Sequence, residues 1–316
     1  ATDFFRQFEK NLVRDKLPTG TAKERGFVFP VADNNEGLTR IKECAAQLKL
    51  EIKDYAIGTD NAFSEIQKGD LAGTDKYQMR FSNPGGGTIT RGELIDFCGK
   101  IVESAPNFVT MEDPASEHDP VGHKLMSEKY GKRVQIVIDD LAVTQMRFII
   151  PFLASPNMKD RCGSSVLIKL NQAGTFTETR LAVEIVLGIA DVAVVEDFLK
   201  IRGDYEGVLA ELNKLGVSSL EAAMANIRKN QFTAFFSHRS TEGSSEFLPY
   251  LPLMYGAVTP KVWFKAGAPN GERNLQNYNP LIRAEEEMQE AGINVQVTAW
   301  NGLPGVVTDV PVLAKN

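Results

Sequence analysis

VQIVIDDLAVTQMRFIIPFLASPNMKDRCGSSVLIK, residues 134–169, decides the fold. An apolar run ends at Asp139, a helix is predicted near Thr144 to Leu153, and a second apolar run ends at Lys169. Two short strands joined by a helix form the right-handed crossover unit of a parallel sheet. The pattern repeats on both sides. YAIGTD ends at Asp60, FVTME at Glu112, FFSHRS at His238, Arg239 and Ser240, and VWFK at Lys265. Helices are predicted over Arg91 to Glu103 and near Lys124 to Tyr130. Six apolar runs that each end in a chemically able residue predict an α/β barrel, because a parallel barrel keeps its site at the strand ends.

Toward the N-terminus, Phe4, Phe5, Phe8, Leu12, Val13 and Leu17 recur at helical spacing, and Pro18 and Gly20 end that helix. GFVFP, residues 26–30, is a short apolar run stopped by proline, and residues 34–50 read as a helix with Leu38, Ile41, Cys44, Ala45 and Leu48 inward. The stretch holding KYQMRF and NPGGG reads as looser, and NPGGG lacks the Lys-Ser/Thr ending of a phosphate loop. Residues 177–229 hold more helix than one crossover needs. They read as a crossover helix plus an inserted hairpin near 189–230, with breaks at Gly203 and Gly216. The barrel is expected over residues 1–287, followed by an extended tail over 288–316, where Pro304 and Pro311 oppose a central strand.

Composition narrows the function. A net charge of −6 argues against a nucleic-acid surface. No apolar run approaches the roughly 20 residues of a membrane helix, so no span is expected. The opening residues show no secretory signal, and three cysteines without metal-type spacing read as reduced, packed thiols. These features point to an intracellular, cytoplasmic protein, with a cytoskeletal or organellar assembly as an alternative.

Asp60, Glu112 and Asp139 would converge on one barrel mouth. Three carboxylates repel each other unless a cation neutralises them, and an all-oxygen set suits Mg²⁺. Each can instead cap a following helix. Lys169 ends an apolar run, where an ammonium is costly unless paired and can serve as a base. Lys265 supplies a second cation for a substrate carboxylate; a structural ion network is the other reading of the two lysines. His238, Arg239 and Ser240 offer groups for phosphate and for a metal shell. His118 and His123, in EHDPVGH, are expected on the surface.

MEDP (111–114), VQIVIDDL (134–141), LIKLNQAGTFTET (167–179), SHRSTEG (237–243) and FKAGAP with ERNLQNYNPLIRAEEE (264–287) resemble enolase, in the order enolase has them. The resemblance implies an enolase-like TIM-type barrel. Asp60, Glu112 and Asp139 would be Mg²⁺ ligands, and Lys169 the base beside the substrate carboxylate. Lys265 would contact that carboxylate, His238 the substrate and Arg239 its phosphate, with Ser240 by a second metal. The activity implied is Mg²⁺-dependent dehydration of 2-phosphoglycerate, a phosphorylated three-carbon acid, by a lysine base and an ene-diolate.

Departures from the family temper this. Enolases carry an N-terminal α+β domain and two opening barrel strands ahead of the matched region, so about six of eight strands are expected here. Where the family has Gly-Asp-Glu-Gly-Gly, this chain has Lys23-Glu24-Arg25-Gly26-Phe27. Arg25 is expected in the place of the acid catalyst, with Glu24 as a replacement one position away. Weak or absent turnover is therefore expected from this chain alone. The alternatives are a pseudo-enolase serving as a structural subunit, or one half of a split enolase. Two open sheet edges are an association hazard, so another protein chain, or this chain's own tail or opening segment, is expected to cover them.

Overall fold

The computed structural model describes residues 1–31, 33–79, 87–239 and 247–293. The chain opens with α1 (Thr2–Arg14) and α2 (Asn34–Gln47), then enters the sheet through β1 (Ile57–Asp60). A hairpin of β2 (Lys76–Met79) and β3 (Gly87–Thr90) precedes α3 (Arg91–Glu103), β4 (Phe108–Glu112), α4 (Pro120–Tyr130), β5 (Gln135–Ile138) and α5 (Met146–Leu153). There follow β6 (Ser165–Ile168), α6 (Leu170–Ala173), α7 (Phe176–Leu187), α8 (Val192–Arg202), α9 (Tyr205–Lys214) and α10 (Leu220–Asn230). The last elements are β7 (Thr233–Ser237), α11 (Tyr250–Gly256), β8 (Val262–Lys265) and α12 (Glu272–Glu290).

Six strands form one sheet in the order β1-β4-β5-β6-β7-β8, and every neighbouring pair is parallel. Sheet order follows chain order, and the described residues supply six strands of a curled barrel sheet. This is the incomplete α/β barrel the sequence predicts. The outer face of β5 to β7 packs against α5, α7 and α10 through Ile138, Val166, Ile168, Ile149, Ile185 and Ile227. The inner face is plugged. Val137, Leu167 and Phe235 meet Trp263, whose ring stacks on Phe235 with centroids 4.9 Å apart. Below them Gln135 Nε2 donates to Thr233 Oγ1 (3.1 Å) and Ser165 Oγ donates to Gln135 Oε1 (3.3 Å), which satisfies the buried polar groups at the barrel base. Gly58 is dictated by packing, since a Cβ there would lie 2.1 Å from Thr110 Oγ1 on the adjacent strand.

Several expectations are revised. KYQM is not loose: it pairs antiparallel with residues 87–90, and Tyr77 and Met79 are buried beneath it. NPGGG falls mostly outside the described residues. Residues 176–230 hold four helices rather than three, because Gly188 adopts φ +72° and caps α7. The breaks at Gly203 and Gly216 are present, both with positive φ. α12 runs on to Glu290, past the 287 boundary, and residues 294–316 of the tail lie outside the described residues. GFVFP makes only an isolated bridge, Thr21 to Phe27, and its rings pack under α1, with Phe27 stacked on Phe5 at 4.3 Å.

His123 is fully buried, contrary to the surface expectation. Asp119 caps α4 and Pro120 starts it, which turns His123 inward beside Met126, where a ring nitrogen lies 3.1 Å from the Ala115 carbonyl. The three cysteines are buried and unpaired. Among the described residues no helix is long and apolar enough to cross a membrane.

Candidate active site

Residues of β1, β4, β5, β7 and β8 line a cavity of about 330 Å³, among them Gly58, Asp60, Thr110, Glu112, Phe235 and Lys265. Parallel register sets Asp60 directly beside Glu112. From the opposite edge of the sheet, Lys265 Nζ reaches Asp60 Oδ2 at 2.7 Å and both Glu112 oxygens at 2.9 and 2.8 Å. Lys169 Nζ lies 2.5 Å from Asp139 Oδ2. Five of the expected residues thus share one mouth. The acids do not converge on one point: the lysines stand between them.

Electrostatics explain that arrangement. Burial pushes the Glu112 carboxyl up to about 8 against the pull of Lys265, and the neighbouring Asp60 and Asp139 charges add to the rise. Burial acts to lower Lys265, but Glu112 and Asp60 outweigh it and hold the ammonium above its usual range. Three carboxylates face two lysines. Asp139 Oδ1 is buried and has no hydrogen-bond partner, a group whose desolvation is uncompensated. All-oxygen donors with one buried, unpartnered carboxylate oxygen, Asp139 Oδ1, are of the kind a hard divalent cation takes.

The described acids whose oxygens lie within 4.8 Å of one another are Asp113, Asp139 and Asp140. Asp113 was not among the expected residues. Its carboxylate accepts the Asp139 N–H at 2.9 Å and the Asp140 N–H at 3.0 Å, so both of its oxygens serve the backbone. Burial pushes this carboxyl up to about 7. Thr144 is a second residue missed. Its hydroxyl accepts the Lys169 backbone N–H at 3.1 Å and lies 2.9 Å from Gln172 Oε1, which fixes the end of β6 where the lysine emerges. The turn that delivers Thr144 has positive φ at Val143 and Thr144, 42° and 53°.

His238 is 6% exposed and directs one ring nitrogen toward Asn277 Nδ2 (3.3 Å) and the other toward Glu24 Oε2 (2.7 Å). The Asn277 amide N–H donates to Nδ1, so Nε2 carries the hydrogen that Glu24 accepts. Asn277 is held by a second bond to the Ala266 carbonyl at 3.1 Å. Of the two residues expected near the acid's place, Glu24 turns its side chain to His238. Arg25 takes φ +63° and its guanidinium passes over Gly271. Phe27 of the same loop packs under α1, against Phe5 and Phe8. The Glu24 carbonyl accepts from Ala268 N (3.3 Å) and Asn274 Nδ2 (3.1 Å), pinning this loop to the segment after β8. Arg239 follows β7 and is exposed at the rim, and Ser240 lies outside the described residues.

Chemically, the mouth offers an amine against a buried carboxylate, a cation between two acids, and an imidazole–carboxylate pair opposite them. Comparison with known proteins bears on the family. The family model for the enolase C-terminal TIM barrel domain matches residues 2–198. The enolase of Natranaerobius thermophilus is 29% identical over 281 residues, covering 88% of this chain and 52% of that protein. The chain spans about half the length of the curated relative it matches.

Proposed function

The chain belongs to the enolase C-terminal TIM barrel family, and from that premise we propose that its mouth binds a phosphorylated three-carbon hydroxy acid and eliminates water from it, weakly in this chain alone. The observation that carries the proposal is the pairing of Lys265 with Asp60 and Glu112 and of Lys169 with Asp139, residues drawn from five different strand ends. Lys169 Nζ takes the proton from the carbon beside the substrate carboxylate. Lys265 holds that carboxylate, and Arg239 the phosphate. Glu24, oriented by His238, gives a proton to the hydroxyl leaving the next carbon. One C–H and one C–O bond break, a C=C bond forms, and water departs.

Asp60, Glu112 and Asp139 would hold Mg²⁺, which when bound supplies positive charge for the carboxylate as negative charge builds on it. Lys265 must then give up its grip on Asp60 and Glu112 to reach the substrate. The test is a coupled assay for phosphoenolpyruvate with excess Mg²⁺. Low turnover that vanishes in Lys169→Ala supports the reading, and turnover that survives Lys169→Ala overturns it.

A second reading is a subunit kept for its surfaces or for ligand binding without chemistry. It is favoured by the sheet itself, in which β1 and β8 each have one strand neighbour among the described residues. Calorimetric binding of Mg²⁺ and a phosphonate analogue without any turnover selects that reading.

A further inference from the structure

We infer that Asp113 is a positioning residue that fixes Asp139 for the cation, an inference that rests on the enolase-type reading above. Asp113 follows Glu112 at the end of β4 and adopts φ +40°. An L residue rarely takes that conformation, and it persists only where the surroundings over-determine it. Here they do. The Asp113 N–H donates to the Val137 carbonyl at 3.0 Å, and Asn61 N–H donates to the Glu112 carbonyl at 3.0 Å, so the β4 end is held from both neighbouring strands.

From that turn the Asp113 side chain, 3% exposed, crosses to the end of β5. One oxygen accepts the Asp139 N–H and the other the Asp140 N–H. Two adjacent peptide planes are thereby fixed, and with them the direction in which the Asp139 side chain leaves the backbone. The Asp139 carboxylate then has one oxygen on Lys169 and the other buried without a partner. Asp113 acts here through the backbone, since each of its oxygens accepts one of the two N–H groups at the end of β5. Two adjacent strand ends, each carrying an expected cation ligand, are tied into one unit by a residue that touches no ligand.

Magnesium titration calorimetry on the 316-residue chain tests this, with Asp113→Ala and Asp113→Asn beside the parent and hydrogen exchange read over residues 136–141. Removing an outer-shell partner of this kind weakens metal affinity by roughly 10- to 100-fold. Asp113→Ala is expected to show that loss together with faster exchange of the Asp139 and Asp140 amides. Asp113→Asn, which keeps one acceptor, should fall between it and the parent and remains measurable if the alanine variant does not fold. Gly188→Ala serves as a control for stability alone, being destabilised far from the mouth, and should keep parental affinity. Parental Mg²⁺ affinity in either folded Asp113 variant overturns the inference while leaving the enolase-type reading intact. A parent chain that binds no Mg²⁺ overturns that reading and, with it, this one.

Discussion

The contrast between Lys169 and Glu24 shows what a single residue can reveal before folding. A lysine closing the run VLIK is conspicuous, because a buried ammonium is costly without a partner, and its partner proves to be Asp139. Glu24 was ambiguous, because the sequence set Arg25 in the acid's place with Glu24 one position away, and only folding brings Glu24 to His238, 214 residues on. Its placement gives a direct test. Glu24→Gln keeps a hydrogen-bonding group for His238 but cannot donate the proton. It should lower any turnover by roughly 10² to 10⁴, the usual contribution of a general acid, while Arg25→Ala should leave the rate within a few-fold. Asp113 was not legible at all, since its neighbour Glu112 looked like the chemistry and its own role is played on backbone atoms. His123 supplies a pH prediction. Burial pushes it down to about 4 in the fold, with the Asp119 carboxylate opposing, against about 6.5 unfolded. The unfolded chain therefore binds the proton first. The stability is fully present above about pH 6.5 and is lost as pH falls toward 4, by up to roughly 3 kcal/mol. Urea titrations across that range should show this slope in the parent and a shallower one in His123→Gln.

At the scale of elements, the six strands of the parallel sheet were legible because each is a short apolar run, most plainly β5, β6 and β7, which are buried on both faces. The hairpin of β2 and β3 was not, since KYQM is no apolar run: polar residues alternate with Tyr77 and Met79, which alone turn inward from it. The helix count in the insertion failed for a related reason. EIVLGIADVAVVEDFLK is apolar on both sides of Gly188, so the break is invisible until φ turns positive there. That glycine is needed twice over. A Cβ at Gly188 would sit 2.7 Å from the Arg228 Cα, and its carbonyl accepts from Arg228 Nε at 2.8 Å. Gly188→Ala must either strain the left-handed cap or push α10 off α7. The expected cost is roughly 2 kcal/mol or more, seen as a lower urea midpoint with an unchanged slope. Because α7 and α10 pack on the outer face of the sheet, ligand binding at the mouth should be unaffected.

For the whole molecule, the arrangement of charge and the arrangement of strands lead to one question. Across the mouth the two sides of the sheet are joined: Lys265 at the end of β8 reaches Asp60 at the end of β1, and the Glu24 loop ties α1 to the segment after β8. Below the mouth nothing described pairs with the outer edges of β1 and β8. A TIM barrel closes with eight strands, and the related enolase is about twice as long as the region it shares with this chain. Exposed strand edges present unpaired N–H and C=O groups that recruit other strands. The expected consequence is association: the purified chain should run larger than 34.8 kDa in size measurements, and crosslinks should fall at or near β1 and β8. Hydrogen exchange should be slow along both outer edges in that state. Removing residues 294–316 separates the possible occupants, because edges covered by the chain's own tail become fast-exchanging in the truncated form, whereas edges covered by another polypeptide stay protected. A monodisperse monomer whose β1 and β8 outer amides exchange freely would show that the six-stranded sheet is stable with its edges uncovered, and that weak turnover, if found, arises at the mouth and not from the edges.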